Sequence, residues 1–166
     1  RRSSDLGDGI PTQLLRLTAR AVAPVLTTLF NRSLATATLP QDWVDATVSP
    51  IHKKNSRHLP TNYRPISLLS CTAKVLEKII AKRLRAHINR YLPNCQSGFQ
   101  PKDSTSLQLI RIVHEIAEAL DNATTVCTCF FDLSKAFDRV WHDGLLAKLD
   151  HYGVRGSLLE WMRAYL

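Results

Sequence analysis

The chain has 166 residues, 45% of them hydrophobic, enough to bury one sizeable core or two small ones. No apolar run approaches the roughly 18 residues of a membrane span and no signal peptide opens the chain, so no membrane partner is expected. The net charge of +8 is concentrated: from His52 to Lys102 eleven Lys and Arg face one acid, Glu77, while the remainder carries eleven basic and thirteen acidic residues. Such a block suits a polyanion, most simply nucleic acid, or else a solvated, solubilising face.

In chain order, Pro11 to about Ala37 reads as two helices divided at Pro24, with Leu14, Leu15, Leu17 and Val22 in the first. Val25, Leu26, Leu29, Phe30 and Leu34 fall in the second. "WVDATVSPI" alternates, with Val44, Ala46 and Val48 on one face of a half-buried strand. A polar loop follows, then an extended piece, "YRPISLL", in which Pro65 argues against helix.

From Thr72 to Tyr91 the period is helical, with an apolar stripe of Val75, Ile79, Ile80, Leu84 and Ile88. Lys74, Lys78, Lys82 and Arg85 recur every three or four residues as a basic rail on another face. "PNCQSGFQPKD" reads as a loop, and Ser104 or Thr105 can cap the next helix, which carries Leu109, Ile110, Val113, Ile116 and Leu120. "TTVCTCFF" reads as a strand. Leu145, Leu146 and Leu149 mark a helix that Gly153 can stop, and Ser157 opens a last one with Glu160 as its capping-box partner. The mixture predicts an α+β (mixed α/β) fold.

The strand "TTVCTCFF" runs directly into Asp132. A carboxylate buried without a partner is costly, so it pairs, protonates or binds a metal. Strand ends are where open sheets place reacting groups, and a hard cation such as Mg²⁺ takes oxygen ligands. A helix cap, or a salt bridge to Lys135 or Arg139, is the structural alternative. The four cysteines (Cys71, Cys95, Cys127, Cys129) lack the spacing of a disulfide framework, which points to a reducing compartment. Cys127 and Cys129 share one face of the predicted strand with no second pair to complete a zinc site, so they are expected in the core. A phosphatase of the Asp-x-Asp type needs an acid where Ser134 stands.

"FFDLSKAFDRVWHDGLLAKL" resembles the first carboxylate motif of reverse transcriptases from non-LTR (LINE-type) retrotransposons. "LPQDWVDATVSPIHKK" is similar to the segment before their fingers, and "NYRPISLLSCTAKVLEKIIAKRL" to their first fingers block. "QSGFQPKDST" and "HYGVRGSLLEWMRAYL" resemble later blocks, in the family's order, from Gly9 onward. The resemblance implies a right-hand polymerase fold in three segments: a helical extension (1–45), a fingers region (46–124) and the start of the palm (125–166).

It also implies RNA-directed DNA synthesis by a two-metal mechanism, with two Mg²⁺ ions, an RNA template, a DNA primer and deoxynucleoside triphosphates. Asp132 would be the catalytic metal ligand and the Leu133 carbonyl a second contact. The turn Ser134–Phe137, with Lys135 and Ala136, would offer backbone N–H groups to the triphosphate. Phe137 matches the residue under the sugar, or else is a core aromatic. Arg64 matches the family's triphosphate-gripping arginine; Lys74 is a second candidate for that task, or one more member of the basic face. Lys78 and Lys82 would follow the template, and Gly98 and Phe99 would seat it.

Asp138 is read as a second acid near the site, a helix cap or a partner of Arg139. Gln100 stands where the family usually has Arg. The chain contains no Asp-Asp pair, whose family hairpin lies downstream, so this polypeptide is expected to be an excerpt of a longer frame and inert alone. The location expected is intracellular, in cytoplasm and nucleus. The alternative is a non-catalytic nucleic-acid-binding remnant of a decayed retrotransposon.

Overall fold

Helix α1 (Thr12–Leu17) starts directly after Pro11 in the computed structural model of the chain, which describes residues 9–166. Helix α2 (Ala19–Thr36) follows after a break at Thr18, not at Pro24 as the sequence predicts. Thr18 explains the position. Its backbone N–H and its hydroxyl both donate to the Leu14 carbonyl, at 2.9 and 2.8 Å, closing one helix before the next begins. Pro24, six residues into α2, forfeits only the one hydrogen bond its missing N–H would have made. Ala37, left-handed at φ +50°, ends the helix.

The chain then makes a single helical turn, α3 (Gln41–Val44), where alternation suggested a strand. The turn points Trp43 into the core, while Val44 stays exposed. Strand β1 (Thr47–His52) begins only after it and pairs antiparallel with β2 (Tyr63–Leu68). Pro50 stands directly opposite Pro65. The Lys53 N–H bonds the Asn62 carbonyl at 2.8 Å, so alternation places the two prolines at a non-hydrogen-bonded pair, where neither needs an N–H. Val48 is exposed on this two-stranded ribbon, since no further strand or layer among the described residues covers that face.

Helix α4 (Cys71–Ile88) buries Ala73, Leu76 and Ile80, spaced three and four apart. Of the stripe expected on it only Ile80 is buried; Val75 and Ile79 are exposed. Ala73, Leu76 and Ile80 join Phe30, Trp43 and Trp161 in one core cluster. Helix α6 (His142–His151) ends as expected: Gly153, at φ +86°, donates to the Asp150 carbonyl, and Val154 to that of Leu149. Helix α7 (Ser157–Tyr165) has Gly156, not Ser157, as its cap. Glu160 pairs with Arg163 at 3.6 Å, so no capping box forms.

Trp161 is 2% exposed, and its indole N–H donates to the Ser33 hydroxyl at 3.0 Å, which in turn donates to the Thr38 carbonyl at 2.5 Å. Ser33→Ala would strand a buried donor, a loss of about 1–3 kcal/mol. Urea unfolding should report that loss, whereas Thr36→Ala, on the exposed end of α2, should stay within about 0.5 kcal/mol. Equal effects of the two changes would refute the buried relay. Tyr165 stacks on Trp161, centroids 5.1 Å apart, and donates to Glu77 at 2.8 Å. Burial, then the Glu77 carboxylate, pushes the phenol up to about 12.

Helix α5 (Thr105–Asp121) is capped by Ser104, whose hydroxyl accepts from the Leu107 N–H at 3.2 Å. Beyond it the predicted strand does not form. Residues 124–133 pair with no described segment, and Phe130 and Phe131 are 85% and 95% exposed. Cys127 and Cys129, expected in the core, are exposed too. A strand satisfies its backbone only through a neighbour, and it buries a face only under a second layer.

Packing divides the chain into two compact units: residues up to His87 together with Trp141–Leu166, and Ile88–Val140. The segments 1–45, 46–124 and 125–166 follow motifs rather than packing, and the first eight residues lie outside those described. Helices with one small antiparallel ribbon make the α+β class expected. No helix among the described residues is long and apolar enough to cross a membrane.

Candidate functional site

In the unit Ile88–Val140, Asp132 is exposed and makes neither a hydrogen bond nor an ion pair. The salt bridges to Lys135 and Arg139 considered from sequence do not form. The Asp132 oxygens are left unpaired, and carboxylate oxygens suit a hard divalent cation. Among the described residues no three His, Cys, Asp or Glu side chains converge, so this segment offers one carboxylate and the adjacent Leu133 carbonyl.

A turn over Ser134–Ala136 follows, with Lys135 left-handed at φ +52°, and then a single helical turn over Phe137–Arg139. Phe137 is 80% exposed, which removes the core-aromatic alternative. Asp138 neither pairs with Arg139 nor caps α6, whose cap is Trp141.

In the same unit Gly98 and Phe99 lie in the loop before α5. Open space surrounds the position a Cβ would take on Gly98, and Phe99 is 81% exposed at φ +62°. A left-handed non-glycine residue is a strained conformation that the surroundings must enforce. Beside this loop stands a group the sequence reading missed. Arg111, on α5, reaches Asp103 at 3.0 Å and the Ser97 hydroxyl at 3.3 Å. The Ser97 hydroxyl also donates to the Gln108 side-chain oxygen. A hydrogen bond from Ser97, the Ser104 N–H and the Arg111 guanidinium hold the Asp103 carboxyl below the usual carboxylate range. The Ser97 proton has two acceptors in reach, Gln108 and Asp103. Arg111 borders a cavity of about 250 Å³ with Asn89, Gln96, Gln100 and Lys102. The signal in the sequence was helical spacing: Ser104, Gln108 and Arg111 share one face of α5.

In the other unit Arg64 is exposed on β2, opposite Ile51. Lys74, Lys78, Lys82 and Arg85 are exposed along α4, and none of them forms an ion pair. The one acid on that helix, Glu77, accepts a hydrogen bond from Tyr165 and pairs with none of these cations. Lys74 and Lys78 also border a cavity of about 370 Å³ with Leu15, Arg16 and Val75. Arg64 and the lysines thus belong to one unit; Gly98, Phe99, Asp132, Leu133, Lys135, Ala136 and Phe137 belong to the other.

Residues 51–166 match a family model described as reverse transcriptase (RNA-dependent DNA polymerase). The chain is 38% identical over 156 residues to the probable RNA-directed DNA polymerase from transposon BS of Drosophila melanogaster, covering 89% of this chain and 17% of that protein. It is 35% identical over 146 residues to the polymerase from mobile element jockey of the same species, covering 85% and 16%. Over 116 residues it is 28% identical to the Pol polyprotein of retrotransposable element R2 from Popillia japonica, covering 70% and 16%. The chain spans about a sixth of the length of these relatives. With the motif order, the matched span and these relatives in agreement, the chain belongs to the reverse transcriptase family, among the polymerases of non-LTR retrotransposons.

Proposed function

We propose that the chain is the fingers and early palm of an RNA-directed DNA polymerase, which extends a DNA primer on an RNA template using deoxynucleoside triphosphates. The observation that carries this reading is Asp132, an exposed and unneutralised carboxylate at the head of the turn 134–136, inside the family-matched span. Reverse transcriptases as a family use divalent metal ions, and the oxygen donors of Asp132 and Leu133 fit Mg²⁺. Such ions would supply Lewis acidity toward a hydroxyl nucleophile and positive charge for the phosphate oxygens.

The chain's own residues do the rest by charge and position. Asp132 supplies the negative charge that holds the cations. The backbone around Lys135 and Ala136 gives the triphosphate oriented N–H dipoles. The exposed Phe137 ring offers the sugar a flat wall that disfavours a 2′-hydroxyl. Arg64 can take two phosphate oxygens at once through its planar fork, with Lys74 as a point charge beside that task. Lys78 and Lys82 attract the template backbone, and the Gly98–Phe99 pair seats it. The setting we propose is the cytoplasm and nucleus.

A second reading, a non-catalytic nucleic-acid-binding remnant, draws on the single carboxylate that this segment contributes. Expression of the full reading frame separates the two. An Asp-Asp hairpin downstream, with Mg²⁺-dependent extension of a DNA primer on RNA, supports the polymerase. A frame interrupted before such a hairpin, with nucleic-acid binding retained, sinks it.

A further inference from the structure

We propose that Arg111 is a positioning residue for template seating: through Asp103 and Ser97 it clamps the loop Gln96–Lys102 onto α5 and holds Gly98 and Phe99 in place. This rests on the polymerase reading above and extends it to a residue that reading does not use.

The loop is strained at two points, Phe99 at φ +62° and Lys102 at φ +66°, neither of them glycine. Its own hydrogen bonds are marginal: Gln100 N–H to the Ser97 carbonyl at 3.2 Å, Asp103 N–H to that of Gln100 at 3.4 Å. The Gln96 side chain adds a bond to the Gly98 carbonyl at 3.2 Å. These close the turn but do not anchor it.

The anchor is the guanidinium. Arg111 lies about two helical turns beyond the Ser104 cap, on the same face of α5, and spans the two ends of the loop, Ser97 at its start and Asp103 just past its end. Asp103 cannot swing away. Its other oxygen accepts the Ser104 N–H at 2.8 Å, and its side chain is only 9% exposed. One guanidinium nitrogen serves both Ser97 and Asp103, and its bond to the sheltered, twice-bonded carboxylate is charge-assisted. The neighbouring Gln100, uncharged, adds no second ion pair, so this one acts beside the bond from the Ser97 hydroxyl to Gln108.

Arg111→Met in the full-length protein keeps the length of the side chain and removes the fork. The expected result is a rise of roughly tenfold in KM for template–primer with kcat within about twofold, the pattern of lost binding rather than lost chemistry. Amide exchange across 96–103 should quicken, while that of α6 and α7 is unchanged. The exchanged pair Asp103→Arg with Arg111→Asp should recover only part of the KM, because it restores the ion pair but not the bonds to Ser104 and Ser97. Ser97→Ala should act in the same direction and serves where Arg111→Met does not fold.

A melting-temperature loss with KM unchanged would reduce Arg111 to a structural role and overturn the proposal. A raised KM with unaltered loop exchange would mean direct contact with template, and would overturn it equally. If the parent extends no primer, the polymerase reading fails on its own account. Loop exchange in parent and variant, which needs no activity, still decides whether Arg111 holds the loop.

Discussion

Asp132→Asn in the full-length polymerase is expected to lower primer extension by roughly 10²–10³-fold or more, the scale on which removing a single preorganised electrostatic group acts. The substitution keeps the size and one hydrogen-bonding oxygen and removes the charge. Holding divalent cations where phosphate charge develops depends on that charge. Asp132 has no ion pair or hydrogen bond to lose, so the fold should be indifferent to the change, and melting temperature should not move. Template–primer binding should also change little, since it draws on Lys78, Lys82 and the loop at Gly98. Asp138→Asn, two residues beyond the end of the turn, should cost far less. Primer extension with Mg²⁺ beside a binding assay on the three proteins checks this. An Asp132→Asn enzyme that extends primers nearly as well as its parent would remove the carboxylate from the mechanism.

Binding of this chain to an RNA–DNA duplex is expected to collapse with salt. Each phosphate neutralised contributes a slope of about −0.9 in log affinity against log salt, so the four rail cations correspond to between three and four decades per tenfold salt. The structure strengthens the expectation, because Lys74, Lys78, Lys82 and Arg85 are exposed and unpaired, and Glu77 is held by Tyr165. Lys78→Glu with Lys82→Glu should flatten the slope by at least about two units and weaken all sequences alike, since phosphate contacts carry no sequence information. Titrations at several salt concentrations give the slope directly. Affinity that ignored salt, or survived the double change, would leave the rail as a solubilising face.

Local order was largely legible in the residues themselves. The extended β2, the cap at Ser104, the stop at Gly153 and the exposed rail on α4 stand where their chemistry put them. Each depends on contacts within a few residues: a proline's missing N–H, a hydroxyl reaching an N–H, a left-handed glycine, a helical repeat. The family was legible too, because motif order survives in one dimension. The role of Asp132 came with that resemblance and remains a proposal.

What the tertiary structure decided is what depends on partners remote in the chain. Ala73, Leu76 and Ile80 form the buried face of α4, in place of most of the expected stripe, because Trp161, 81 residues beyond Ile80, packs against that face. The apolar run before Asp132 has every local mark of a strand, yet it pairs with nothing described, since β-propensity describes fit to a neighbour and cannot supply one. Arg111 and Asp103 escaped notice for a related reason. Eight residues apart and ordinary in kind, they become a clamp only when α5 folds beneath its loop and shelters the carboxylate that the guanidinium holds.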